Sequence, residues 1–247
     1  MFALVATMSV VSCNKEVDKN TSQSVLTSLS DKNKFENLDY KEIGNQHNLK
    51  MMEAFKISDE NQKMSEKEVA LNINFGDIDK DFADNYFDEI KSTTNEEKHE
   101  EILNVLSNQA AKDELSYLRN ILYTSEDYED LCSKIDRKEI NIKSNFKGLD
   151  YGVLMTYCEI TKHSAYLWFE SEVGGSGEGS RYLKRFSDRS KAEPQQAQQR
   201  TKVESDVLGG AEAMVSWALT GGAVFGPFGV LGGLAAATIL GATFGSI

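Results

Sequence analysis

A chain of 247 residues with a formal charge of -12 repels phosphate backbones, so nucleic-acid binding is not expected. The same acidity disfavours docking on anionic lipid through basic patches, which leaves membrane attachment to lipid modification or apolar segments. Only Pro194 and Pro227 interrupt the chain, and glycine clusters late; both features favour helices over a turn-rich β fold.

The mostly apolar run from Phe2 to Val11 fits the core of a signal peptide and is too short to span a bilayer. It ends in Val10-Val11-Ser12-Cys13, the pattern of a lipobox, with small residues before the cysteine that receives the lipid. Residues 1–12 are therefore expected to be a signal peptide and Cys13 the lipidation site. Acyl chains contribute about 0.8 kcal/mol per buried methylene, so a multiply acylated cysteine anchors firmly. The usual cationic start is missing ahead of Cys13, and a displaced start or absent first residues are the expected reason. An incidental cysteine on a frayed terminus is the plain alternative. Residues 13–37, rich in Ser, Thr, Asn, Asp and Lys, have the composition of a tether.

Helical spacing then recurs. Ile43, His47, Met51 and Phe55 share a face over Tyr40 to Ile57. Phe82, Tyr86 and Ile90 do so over Asp77 to Lys91. Two shorter helices are expected over Asn95–Leu106 and Lys112–Tyr123. The next starts at Ser125, where Glu126 and Asp127 suit the positive end of a helix dipole. Leu149 to Phe169 is the strongest candidate, with Leu149, Val153, Tyr157, Ile160, Ser164 and Leu167 in one stripe and aromatic bulk at its end. Residues 38–170 thus read as a helical bundle. The stretch 171–203, glycine-rich at first and Gln-rich later, reads as a flexible linker.

Residues 204–247 read as an apolar helical hairpin turning near Pro227. No charged residue follows Glu212. Ala218, Gly222 and Gly226, then Gly229, Gly233, Ala237, Gly241 and Gly245, place small residues on one helix face, where two backbones can approach closely. Each glycine costs a helix in water about 1 kcal/mol relative to alanine. Lipid, a buried seat on the bundle, or self-association would offset that cost, and a flexible tail is the remaining alternative.

Motifs with chemistry are sparse. Asp77, Asp79 and Asp81 are spaced like the start of a calcium loop, but Phe82 stands where glycine is needed and Asp88 where a bidentate Glu is needed. His47, His99 and His163 are isolated from one another and from cysteine, so no metal or cofactor is expected. His47 on the apolar face of the first helix reads as a buried, hydrogen-bonded core histidine. His163 and Ser164 are adjacent on a helix, so their side chains diverge. Leu208-Gly209-Gly210 is similar to the double-glycine cleavage site of bacteriocin leaders, though far from the N-terminus. For Cys132 and Cys158, a disulfide worth about 3 kcal/mol and a pair of buried free thiols are both open.

Three features together resemble uncharacterised lipoproteins of the Bacteroidota. They are the lipobox with its tether, the Gly44-Asn45-Gln46-His47-Asn48 element, and the Ser164-Ala165-Tyr166-Leu167-Trp168 element ahead of a glycine-rich tail. The tail is also similar to glycine-zipper bacteriocins. With the helical spacing and the lack of a catalytic constellation, the expectation is an all-α, non-enzymatic lipoprotein of the cell envelope, on the outer membrane or the periplasmic face. Its partner would be the bilayer, through Cys13 and the hairpin, or a second copy. The competing expectations are a membrane-active toxin, and an enzyme whose site lies near His47 and His163.

Overall fold

The computed structural model describes residues 34–74, 80–179, 181–182, 195–220 and 241–245. The signal peptide, Cys13, nearly all of the tether, Gly222, Gly226, Gly229, Gly233 and Ala237 lie outside them, as do Asp77 and Asp79. Among the described residues every regular element is helical.

Most helices start where a side chain can take an orphan backbone N–H. Helix α1 (Tyr40–Glu60) is capped by Asp39, which accepts from the Glu42 amide, and its stripe of Ile43, His47, Met51 and Phe55 is buried. Helix α2 (Glu66–Asn72) starts on a Ser65–Glu68 capping box. Helix α3 (Lys80–Ser92) follows, then α4 (Asn95–Val105) on a Thr94–Glu97 capping box. Helix α5 (Gln109–Thr124) starts earlier than its apolar pattern suggests because Asn108 caps the Ala111 amide. Helix α6 (Tyr128–Asn145) starts later than expected. Asp127 is its cap, while the Ser125 hydroxyl donates back to the Ile121 carbonyl and so completes α5.

Helix α7 (Gly148–Trp168) is the axis of the fold. It buries 16 of its 21 residues, so the expected single stripe is nearly a full circumference. It packs against α1, α5, α6 and helix α8 (Gln195–Thr220), and α8 in turn covers α4 and α5.

Two boundaries therefore need correction. The segment after α7 is not a free linker. A 3-10 turn (Ser171–Val173) leads to Gly174 in the left-handed region, where φ is 85°. The amides of Gly175, Ser176 and Gly177 then donate to the carbonyls of Glu170, Tyr166 and Phe169. A Cβ at Gly175 would strike the Phe169 carbonyl and one at Gly179 the Trp168 ring, so these glycines serve close packing rather than mobility. Tyr182 returns to stack on Phe55 at 4.7 Å. Second, the Gln-rich stretch is helical from Gln195, and Gln199, Arg200, Val203 and Glu204 are buried. The bundle therefore extends beyond residue 170 and includes α8.

The C-terminal turn at 241–245 lies antiparallel on α8. A Cβ at Gly241 would meet the Gly209 carbonyl and the Ala213 side chain, and one at Gly245 the Ser205 carbonyl. Phe244 packs between Tyr86 at 6.3 Å and Phe87 at 5.4 Å. The small-residue spacing of Gly241 and Gly245 is thus used inside the protein. Gly209 and Gly210 are buried within α8, which removes the reading of Leu208-Gly209-Gly210 as an accessible cleavage site. No helix among the described residues is long and apolar enough to cross a membrane.

Candidate functional site

The two short elements that stand out in the sequence meet in space. Gly44, His47 and Asn48 lie on α1; Ser164 and Trp168 lie on α7. Both groups converge on Asp206 of α8. His47 and Asp206 are fully buried. Oδ2 of Asp206 accepts from Ser164 Oγ at 2.5 Å and from Trp168 Nε1 at 3.0 Å. His47 Nε2 lies 3.3 Å from the same oxygen, an electrostatic contact rather than an aligned hydrogen bond. On the other side of the ring, His47 Nδ1 lies 3.0 Å from Asn48 Oδ1, and Asn48 Nδ2 donates to the His163 carbonyl at 2.8 Å. Gly44 is small for a definite reason: any Cβ there would run into the His163 imidazole.

Ser164 commits its hydrogen to the carboxylate and not to the imidazole. The trio therefore lacks the nucleophile–base order that activates a hydroxyl. A buried carboxylate that accepts two donors from α7 and lies against His47 of α1 is an anchor: it satisfies costly polar groups and fixes one arrangement of α1, α7 and α8.

Two further seams hold α8 or flank the site. Glu204 accepts from Arg119 Nε at 2.5 Å, Tyr123 Oη at 2.6 Å and Asn95 Nδ2 at 3.2 Å, while Arg119 also reaches Glu96 at 2.7 Å. Burial and the bond to Glu204 push the Tyr123 phenol well up. Arg200 donates to the carbonyls of Leu122 and Ser125 and lies over the Phe169 ring, so it caps α5 from α8. Between α6 and α7, Lys162 reaches Glu139 at 2.5 Å, Asp136 at 3.0 Å and Glu159 at 3.1 Å. Burial first, then the Glu139 charge, raise the Glu159 carboxyl. His163 Nε2 is 3.8 Å from Glu159, and burial, followed by the charge of His47, lowers its imidazole to about 4.

Of the sequence-derived candidates, His47, His163 and Ser164 are brought together, while His99 is buried separately on α4. Cys132 and Cys158 stand as free thiols, Cys132 partly exposed and Cys158 buried. Cys158 faces the core, whereas the Cys132 thiol is hydrogen-bonded with Tyr128 on its own helix. Asp206, Glu204 and Arg200 were not among the candidates. Arg200 and Glu204 stand in a polar, Gln-rich stretch and Asp206 at its end, so nothing in the local sequence marks them as buried. No group of His, Cys, Asp or Glu among the described residues could hold a metal ion. No family model, curated protein or solved structure matches the chain.

Proposed function

We propose that this chain is a non-enzymatic lipoprotein of the bacterial cell envelope, held to the bilayer by acyl chains on Cys13. Its helical body is displayed on the polar tether, and its C-terminal segment is kept on that body. The observation that carries this reading is how the buried polar groups are spent. Asp206, Glu204 and Arg200 all bind α8 to neighbouring helices, and Ser164 is a donor to the carboxylate rather than a primed nucleophile. The lipobox supplies the attachment, and the seat of Gly241 and Gly245 on α8 gives the tail a place outside lipid.

Membrane fractionation tests the reading. Wild type should pellet with membranes, Cys13→Ala should become soluble, and a form ending at Thr220 should stay with the membrane because it keeps Cys13. Cys13→Ala remaining in the membrane fraction would overturn the lipid anchor. The second reading, a glycine-zipper toxin acting on membranes, is favoured by the charge-free run after Glu212. It requires the full chain to leak phospholipid vesicles, which the first reading excludes.

A further inference from the structure

One corner of the bundle runs against the acidity of the whole. Helix α3 ends at Ser92, and α4 starts at Asn95 on its Thr94 cap. The first turn of α4 lies on α8: Asn95 Nδ2 donates to the Thr201 carbonyl at 3.4 Å, and Ser205 Oγ donates to Asn95 Oδ1 at 3.1 Å. Three lysines are thereby brought to one junction. Lys91 stands in the last turn of α3. Lys98 follows Asn95 at i+3 and so shares its α8-facing side. Lys202 is next to Thr201 on α8.

Lys98 is 3 % exposed, yet it makes no hydrogen bond or ion pair with any described residue. A buried charge is costly unless it is paired. Burial lowers its ammonium, opposed by the charges of Glu212 and Glu101, neither of which reaches it as an ion pair. Lys91 lies over the Phe87 ring at 5.9 Å and also has no ion pair among the described residues. Desolvation first, then the charge of Lys202, lowers its ammonium to about 8; Lys98 adds to that repulsion, and Glu66 and Asp206 oppose it. Lys91 is exposed and Lys202 half-buried, so the junction opens to solvent while Lys98 closes its inner end. Like charges gathered in this way are relieved by an anion between them.

We propose that Lys91, Lys98 and Lys202 form an anion site at the junction of α3, α4 and α8, for a phosphate group carried either by free phosphate or by a phospholipid headgroup. Each ammonium offers three donors on a flexible stem, so lysines from three elements can meet the oxygens of one tetrahedral group from different sides. Lys98 supplies the buried donor, Lys91 the donor at the rim, and Lys202 adds its charge. A phosphate group matches this set better than a monovalent halide because it brings several acceptor oxygens. All three lysines belong to the helical body, so the site does not depend on the anchor at Cys13.

The test uses the full chain carrying Cys13→Ala, so that no acyl chain contributes, labelled with nitrogen-15. Inorganic phosphate is added at constant ionic strength, and the amide shifts of Lys91, Lys98 and Lys202 are followed. Vesicles of phosphatidylcholine, with and without phosphatidylglycerol, are the second probe, read by co-sedimentation. Free phosphate as ligand predicts that the three amides move together and saturate. A headgroup as ligand predicts sedimentation only with the phosphatidylglycerol vesicles. In either case Lys98→Met should weaken binding by about tenfold or more. That variant keeps the length of the side chain and removes an unpaired buried charge, so it should fold at least as well as its parent. Lys91→Met, at the surface, should weaken binding as well and decides alone if Lys98→Met does not fold. Lys56→Met, on α1, should leave binding unchanged. Absence of a saturable shift together with absence of sedimentation overturns the proposal. So does binding that survives Lys91→Met and Lys98→Met.

Discussion

Gly209 on α8 and Gly241 in the C-terminal turn face each other so closely that a methyl group on either would enter the other's carbonyl. Both obstacles are backbone, which cannot swing aside as a side chain could. Replacing either glycine with alanine gains about 1 kcal/mol of helix propensity. Overpacking of this kind costs about 1–3 kcal/mol. The predicted net effect of Gly241→Ala is therefore a small loss of stability, and of Gly241→Leu a larger one. Denaturant midpoints of the full chain measure both. A Gly241→Leu variant as stable as wild type would mean that the turn does not rest on α8.

Asp206 offers a second, larger effect. Asp206→Ala strips the acceptor from Ser164 and Trp168 and leaves His47 facing apolar carbon. Breaking a buried pair by removing one partner typically costs about 3–5 kcal/mol. Asp206→Asn keeps one acceptor oxygen and should cost less. The coupling is testable in a cycle. Ser164→Ala should be clearly destabilising alone and nearly silent once Asp206 is alanine. Additive losses would show that Ser164 stabilises the protein by some route other than the carboxylate.

Much of this arrangement was legible in the sequence, but unevenly. The long apolar helices stood out because their spacing repeats over several turns; Leu149 to Phe169 is the clearest case. Helix α2 was missed because seven residues carry too little periodicity, although Ser65 and Glu68 mark its start. The Gln-rich stretch was read as linker because its polar residues were assigned to solvent. In the fold Gln199 and Arg200 are buried, Arg200 against backbone carbonyls of α5. Each half of the polar site was visible as a short element around His47 or Ser164. Their common partner was not, since a lone aspartate such as Asp206 carries no periodic signal and its partners are remote in the chain. Gly241 and Gly245 lie against α8. Small-residue spacing in the sequence carries no sign of which surface that would be.

Two titrating groups should pull stability in opposite directions below neutrality. Burial, opposed by Lys98 and reinforced by Glu101 and Glu89, raises the Glu212 carboxyl to about 7. A raised folded value means that the native state holds the proton more tightly, so this contribution is complete below the unfolded value near 4.5 and is lost as pH rises toward 7. His163 behaves in reverse. Its imidazole is lowered to about 4, so its contribution is present above the unfolded value near 6.5 and is lost as pH falls toward 4. Each is worth at most roughly 3–4 kcal/mol, since one pKa unit corresponds to about 1.4 kcal/mol. Partial exposure of both side chains trims that figure. In the wild type the two slopes largely cancel. Glu212→Gln should therefore make stability climb with pH between about 4 and 6.5, and His163→Gln should make it decline between about 4.5 and 7. Denaturant unfolding at a series of pH values reads both slopes. Parallel curves for the two variants would show that neither group has the environment described.

The cysteines give a prediction about accessibility. Burial raises the Cys132 thiol, with the Tyr128 hydrogen bond acting the other way, and burial raises the fully enclosed Cys158 thiol much further. The thiolate is the reactive species, so both should react more slowly than a free cysteine, and Cys158 should lag far behind Cys132. In a native Cys13→Ala background, a thiol reagent at mildly alkaline pH should modify Cys132 slowly and reach Cys158 only when denaturant opens the core. Cys132 is partly exposed on α6, whereas Cys158 is fully buried on α7. Non-reducing and reducing gels should accordingly show the same mobility after export to an oxidising compartment. A faster-running oxidised band that disappears in Cys158→Ala would show that the free-thiol arrangement is not the one the folded protein keeps.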